Sequence, residues 1–175
     1  MMNHITYAVL EDVSVLQDIM ETAIASIQQK DWYVADDREF IRRHIESEGY
    51  TLKYTTGNTI AGFLIVRHPA FAEDNLGRYL PDWTGETLKK VAHMESVAVL
   101  PEFRGQKIQK KLLQVAEKIE QERGTRYLMG TVHPENIYSA ANLEQLGYEC
   151  LLETEKYGGL RRKIVCKELA RAEGA

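Results

Sequence analysis

The stretch "MESVAVLPEFRGQKIQKKLL", Met94 to Leu113, constrains this chain more than any other. It begins as an apolar strand and ends as an amphipathic helix. Apolar residues recur at Ile108, Leu112, Val115, Ala116 and Ile119, the stripe of a 3.6-residue period, and Gly124 stops the helix. Between strand and helix lies Phe103-Arg104-Gly105-Gln106-Lys107, with one glycine and two cations. A further strand, 125–132, comes next. Strand, helix and strand in close succession belong to a sheet covered by helices.

The turn itself suggests a ligand. The first turn of a helix leaves backbone N–H groups without intrahelical acceptors, and the dipole is positive there. A turn carrying glycine and no β-branched residue lets a phosphate approach those amides. Arg104 and the amides of Gly105, Gln106, Lys107, Ile108 and Gln109 therefore read as a pyrophosphate cradle. The spacing is not that of a P-loop, because no glycine-lysine-serine follows. It is not a dinucleotide fingerprint either, since Gly105 stands alone.

The rest of the chain extends the same layout. A strand at 4–9 precedes a helix opened by Glu11-Asp12, with Val13, Leu16, Met20, Ala23, Ile24 and Ile27 on one face. Asp36-Asp37 opens a second helix with Phe40, Ile41, His44 and Ile45 together; acids at both starts complement the helix dipole. Strands at 50–55 and 60–66 form a hairpin, and residues 70–89 read as a long functional loop. A strand at 91–100 leads into the helix at 106–123. After the strand at 125–132 come a helix at 135–146 and a final hairpin around Gly158-Gly159. The whole, 1–175, is one α/β domain with a mixed central sheet flanked by helices.

Composition excludes several roles. A net charge of −4 offers no electrostatic case for nucleic acid or for an anionic membrane surface. No apolar run approaches membrane-spanning length. The N-terminus predicts no secretory signal. Cys150 and Cys166 lack zinc spacing and read as reduced thiols, which suits a cytoplasmic protein. No His, Cys and Asp set has metal spacing, and no nucleophile elbow is present.

The strand, the Pro-Glu-Phe-Arg-Gly turn, the helix and the later "HPENIYSAANLEQLGY" resemble the GNAT superfamily of acyl-CoA-dependent N-acetyltransferases, from Val91 to Tyr148 and in family order. The resemblance implies a GNAT-type fold, splayed between the strands at 91–100 and 125–132, with acetyl-CoA as co-substrate and no metal. Val97, Ala98 and Val99 would present backbone groups to the pantetheine arm. Asn136, Ser139 and Asn142 would face the coenzyme from the next helix. Arg104 and Gly105 match the family motif, whereas Lys107 and Gln109 replace its two glycines, at a cost of about 1 kcal/mol wherever φ > 0 is required.

The chemistry implied is attack of an amine on a thioester, which needs a proton acceptor. Glu95 stands where family members often place a glutamate. His93 is one pleat earlier on the same strand face, with a more suitable pKa. Both remain candidates. Leu143 replaces a tyrosine that many relatives use to protonate the thiolate, and Tyr138 is a weak substitute. Trp32, Tyr33, Tyr79 and Trp83 would wall an acceptor slot, with Glu73, Asp74, Asp82 and Glu86 available to a cationic amine. The implied acceptor is the primary amine of a small molecule. A protein N-terminus or lysine, or a noncatalytic acyl-CoA sensor, are the alternatives, and homodimerisation is left open.

Overall fold

A computed structural model describes residues 3–170. The chain runs β1 (Asn3–Tyr7), α1 (Val13–Ala25), α2 (Arg38–Glu46), β2 (Gly49–Thr56), β3 (Thr59–Arg67), α3 (Gly85–Leu88) and β4 (Val91–Val99). It continues with α4 (Ile108–Arg123), β5 (Tyr127–Val132), α5 (Ile137–Gln145), β6 (Glu149–Lys156) and β7 (Leu160–Glu168). The strands form a single sheet in the order β1-β2-β3-β4-β5-β7-β6. Neighbours are antiparallel except β4 and β5, which run parallel and are joined through α4.

Alternation along β3 decides which helix covers which face. Leu64 and Val66 point to the core under α4 and α5, where Ile108, Leu112, Leu113, Ala116, Leu143 and Leu146 are buried. Phe63 and Ile65 point the other way, onto Leu16, Ile19, Met20 and Ala23 of α1 and Ile41 of α2. Beyond β4 that second face is covered differently. Leu76 packs there with Val91, Met129, Ile164 and Cys166.

Element types follow the sequence; several boundaries do not, each for a local reason. The helix expected from residue 106 starts at Ile108, because Gly105 and Lys107 both hold left-handed backbone (φ 81 and 60). The strand expected from residue 125 starts at Tyr127, because the Thr125 N–H caps α4 on the Glu120 carbonyl at 3.0 Å. The helix expected from residue 135 starts at Ile137, with the Asn136 side chain accepting from the Ser139 N–H as its cap. Residues 70–89 are not a structureless loop. Buried Asn75 donates to the Ala70 and Leu88 carbonyls and accepts from the Gly77 N–H, folding the segment into a compact lid over Val91. Cys150 and Cys166 are free thiols.

One buried charge joins α4 to the sheet. Glu120, wholly buried, accepts from His68 Nε2 at 3.0 Å and from the Thr125 hydroxyl. Burial pushes its pKa up, but the His68 and Thr125 hydrogen bonds outweigh that and hold it below the usual carboxylate range. Removing the carboxylate strands two donors, so Glu120→Ala should cost about 2–3 kcal/mol in denaturant titration at pH 7. Since folding lowers this pKa, the contribution is present above about pH 4 and lost as pH falls through the folded value. Wild type and variant should therefore converge in stability once the pH has fallen below that lowered folded value. A constant gap across that range would assign the loss to packing alone.

Candidate active site

β4 and β5 share a ladder at only three positions, Val91↔Tyr127, Ala92↔Leu128 and His93↔Met129. Past them β4 stays on β3 and β5 stays on β7, and a cleft of about 1260 Å³ opens between the two arms. Val97, Ala98 and Val99 line it, along the edge of β4 that β5 has left. At the fork β4 is bulged: Ile65 pairs with Ser96 and Val66 with Met94, leaving Glu95 as the extra residue. The bulge turns both Glu95 and Ser96 into the cleft wall.

Glu95 and His93, the two candidate bases, prove to be hydrogen-bonded to one another. His93 Nδ1 lies 3.2 Å from a Glu95 carboxylate oxygen, and His93 Nε2 accepts the Leu76 N–H at 3.0 Å. With Nε2 accepting, the ring hydrogen is assigned to Nδ1 and is donated to Glu95. His93 is 3% exposed and lies behind the cleft wall, with both nitrogens engaged. Burial would raise the Glu95 pKa, but the His93 bond, with the Arg67 guanidinium 4.0 Å away, holds it below the usual carboxylate range. The site thus keeps a carboxylate at the fork.

A third group was not foreseen. Asp36 reads in sequence as a helix-start acid, yet Asp37 is the N-cap, accepting from the Phe40 N–H. Asp36 instead accepts from the Ser96 hydroxyl, beside Glu95. Burial, together with the Glu95 charge and against the Ser96 bond, pushes its pKa up to about 6. The doubled Asp36-Asp37 carried the signal, since one helix start needs only one cap.

The turn before α4 forms the far end of the cleft. Lys107 is the N-cap, left-handed and without a side-chain capping bond. Gly105 has open space where a Cβ would stand. The Arg104 guanidinium rests on the C-terminal end of α1, donating to the Ser26 hydroxyl at 2.6 Å and the Ala23 carbonyl at 3.4 Å. Gln106 is exposed at the turn, and Ile108 is buried beneath it. Gln109 explains its own presence: it donates to Ser139 (3.1 Å) and accepts from Asn142 (3.0 Å), tying α4 to α5. Asn136, Ser139 and Asn142 all line the cleft, with side chains already partnered by protein.

Of the four aromatics read as an acceptor slot, Trp32 and Tyr33 line the cleft. Tyr79 and Trp83 do not. Tyr79 packs beside the Leu76–Met129 core under Lys156, and Trp83 lies exposed beneath Arg78. Their segment folded back onto Val91 instead of reaching the cleft, and Asp74 within it pairs with Arg67 at 2.7 Å. The cover comes from the α1–α2 connection. Trp32 stacks on His133 with ring centroids 6.1 Å apart, Asp31 meets His133 Nε2 at 3.3 Å, and Arg162 holds the Asp31 carbonyl at 2.6 Å. Tyr157 and Arg162, on the opposite arm, complete the wall. Leu143, in the family tyrosine's place, is core, and Tyr138 is exposed at the cleft's edge.

A model of the acetyltransferase (GNAT) family matches residues 14–148. The chain belongs to that family, whose members take an acetyl group from acetyl-CoA. No curated protein sequence matches significantly. Among solved structures, the ribosomal-protein-S18-alanine N-acetyltransferase from Escherichia coli superposes with a TM-score of 0.74 at 18% identity, covering 98% of this chain and 96% of that one. An acetyltransferase from Salmonella typhimurium, solved with its cofactor acetyl-CoA, gives 0.71 at 15% identity over 100% and 98%. PaiA N-acetyltransferase from Thermoplasma acidophilum, in complex with coenzyme A, gives 0.69 at 19% over 97% and 100%. The residues present fit such a coenzyme: the freed edge of β4 and the open backbone at Gly105 both face the cleft. No group of three or more metal-ligating side chains occurs among the described residues.

The two left-handed residues of the turn give a paired test. Nothing crowds the missing Cβ of Gly105, so Gly105→Ala should lose only the backbone preference, about 1 kcal/mol. Lys107→Gly should relieve a similar strain and raise the melting temperature by about 2 °C in calorimetry. A melting temperature lowered by Lys107→Gly would mean the lysine side chain stabilises the turn by more than its backbone costs.

Proposed function

We propose that this enzyme transfers an acetyl group from acetyl-CoA directly to the primary amine of a small molecule, within a ternary complex. The observation that supports this best is the position of Glu95, bulged into the fork of β4 and β5 under a connection pinned across the cleft. Trp32 and Tyr33 on that connection and Tyr157 on the opposite arm wall the site, which favours a small acceptor over a peptide laid in an open groove. The Escherichia coli neighbour acts on a ribosomal protein, and a peptide ending in alanine is therefore the comparison substrate.

Acetyl-CoA supplies a thioester, whose carbon–sulfur bond breaks as the new nitrogen–carbon bond forms. This chain's residues manage the proton. An alkylammonium, with a pKa of about 10, must lose one before it can attack. Glu95 is held as a carboxylate and accepts that proton directly or through water. His93 acts as a positioning residue, fixing the carboxylate through its Nδ1–H and itself fixed by Leu76. A thiol of pKa about 8.5 departs without a dedicated acid, so Leu143 is no obstacle.

Two outcomes test this reading. Against a panel of small amines and the alanine-terminated peptide, thiol release should be fastest with a small amine, and Glu95→Gln should lower kcat by about 10²-fold or more with coenzyme affinity retained. Near-wild-type kcat in Glu95→Gln would return proton removal to solvent. Faster turnover of the peptide would reassign the acceptor.

Asp36 sets the acid limb. Below about pH 6 it is protonated, and the cleft loses a negative charge that attracts the ammonium beside Glu95. The kcat/KM of the wild type should rise through about pH 6, and Asp36→Asn should abolish that rise. An unchanged limb in the variant would assign it to another group.

A further inference from the structure

The arm of the pocket opposite β4 carries a cation that the transfer chemistry does not use. Arg162 is 3% exposed, lines the cleft, and sits on β7 at the register position that continues inward from Ile164. Its guanidinium has five N–H donors. Two nitrogens donate to backbone carbonyls, of Arg161 at 2.7 Å and Asp31 at 2.6 Å. Neither partner is an anion. Asp31 is the nearest acid, but its carboxylate is engaged with His133. No carboxylate forms an ion pair with Arg162 among the described residues.

A buried guanidinium without a counter-charge is costly, because an arginine does not escape by losing its proton. Tyr157 offsets part of the cost. It holds left-handed backbone (φ 53), unusual for an aromatic residue, and so brings its ring to 5.6 Å from the guanidinium and its hydroxyl to 3.3 Å from Thr131. A cation–π contact leaves the remaining guanidinium donors without an anion, and a guanidinium pairs best with a carboxylate. Burial also draws the Arg162 pKa down, as expected of an uncompensated positive charge.

The pocket is therefore polarised. Glu95 presents negative charge from the β4 arm, with Asp36 behind it on Ser96, Arg162 presents positive charge from the β7 arm, and Tyr157 feels both. We propose that Arg162 binds a carboxylate of the acceptor, and that the substrate class is an amino acid whose amine faces Glu95 while its carboxylate pairs with the guanidinium. This rests on the reading of the pocket as an acceptor site. The coenzyme's phosphates are assigned elsewhere, to the Gly105 turn before α4 at the end of the cleft away from the fork.

The test is isothermal titration of the coenzyme A-saturated protein with glycine, β-alanine, glutamate, methionine and lysine, each beside its carboxamide. At least one amino acid should bind the wild type about tenfold or more tightly than its carboxamide, the scale of one charge-assisted hydrogen bond. Arg162→Gln should erase that preference by weakening the amino acid far more than its carboxamide, with coenzyme A affinity retained. Arg162→Lys, which keeps the charge and loses the fork, should retain part of it. The carboxamide arm controls for folding, because a mere loss of the Asp31 tether would weaken both ligands equally. Equal weakening, an undiminished preference in Arg162→Gln, a fall in coenzyme A affinity, or no amino acid binding at all would each overturn the proposal. Binding in the expected pattern without acetyl transfer would leave Arg162's role standing and refute the transfer to small amines.

Discussion

β4 and β5 are the one parallel pair among the described residues, and their ladder stops after three positions. From there each strand is held by its other neighbour alone, β4 by β3 and β5 by β7. A parallel pair needs a long crossover, here α4, and the start of that helix necessarily lies at the wide end of the fork. The cleft, the unpaired edge of β4 and the positive end of α4 are therefore consequences of one interrupted ladder. The bulge at Glu95 belongs to the same event. An extra residue sharpens the twist of β4 just where it must leave β5, and it breaks the two-residue alternation so that Glu95 and Ser96 both reach the cleft.

Around that fork, structure and site compete for the same side chains. Arg104 supports the end of α1, Gln109 joins α4 to α5 through Ser139 and Asn142, and His93 joins Glu95 to the lid at Leu76. Each carries out a structural task with a polar group that sequence motifs associate with the ligand. The cleft is consequently held open by its own hydrogen bonds. What it presents to a ligand is mainly backbone: the edge of β4 and the turn at Gly105.

Much of this was legible from residues alone, and the limit was physical. Strand and helix types, the turn and the parting of strands follow from periodicity, glycine placement and the family resemblance. Local signals of that kind cannot report which long-range partner a polar group finds. Tyr79 and Trp83 looked like pocket walls because their segment carries few periodic apolar positions. It folds away because Asn75 satisfies the carbonyls of Ala70 and Leu88 and sends Leu76 into the core. Asp36 and Arg162 escaped for the converse reason. An acid before a helix and an arginine in a charged hairpin are ordinary surface patterns, and only the fold shows Arg162 buried and Asp36 half-buried against Ser96.

The covering connection between α1 and α2 shows why those two residues belong to one argument. It must cross from the α1 face of the sheet to the far arm of the fork, and it can stay there only if that arm provides donors. Arg162 and His133 do so, through the backbone and side chain of Asp31, with Trp32 stacked on His133. The same crossing carries Asp36 back to Ser96 before α2 begins. Closing the pocket thus places an acid behind the β4 arm and leaves a guanidinium on the β7 arm with donors still free. The polarity of the pocket is a by-product of how its cover is anchored, and the acceptor we propose, with an amine and a carboxylate, matches it.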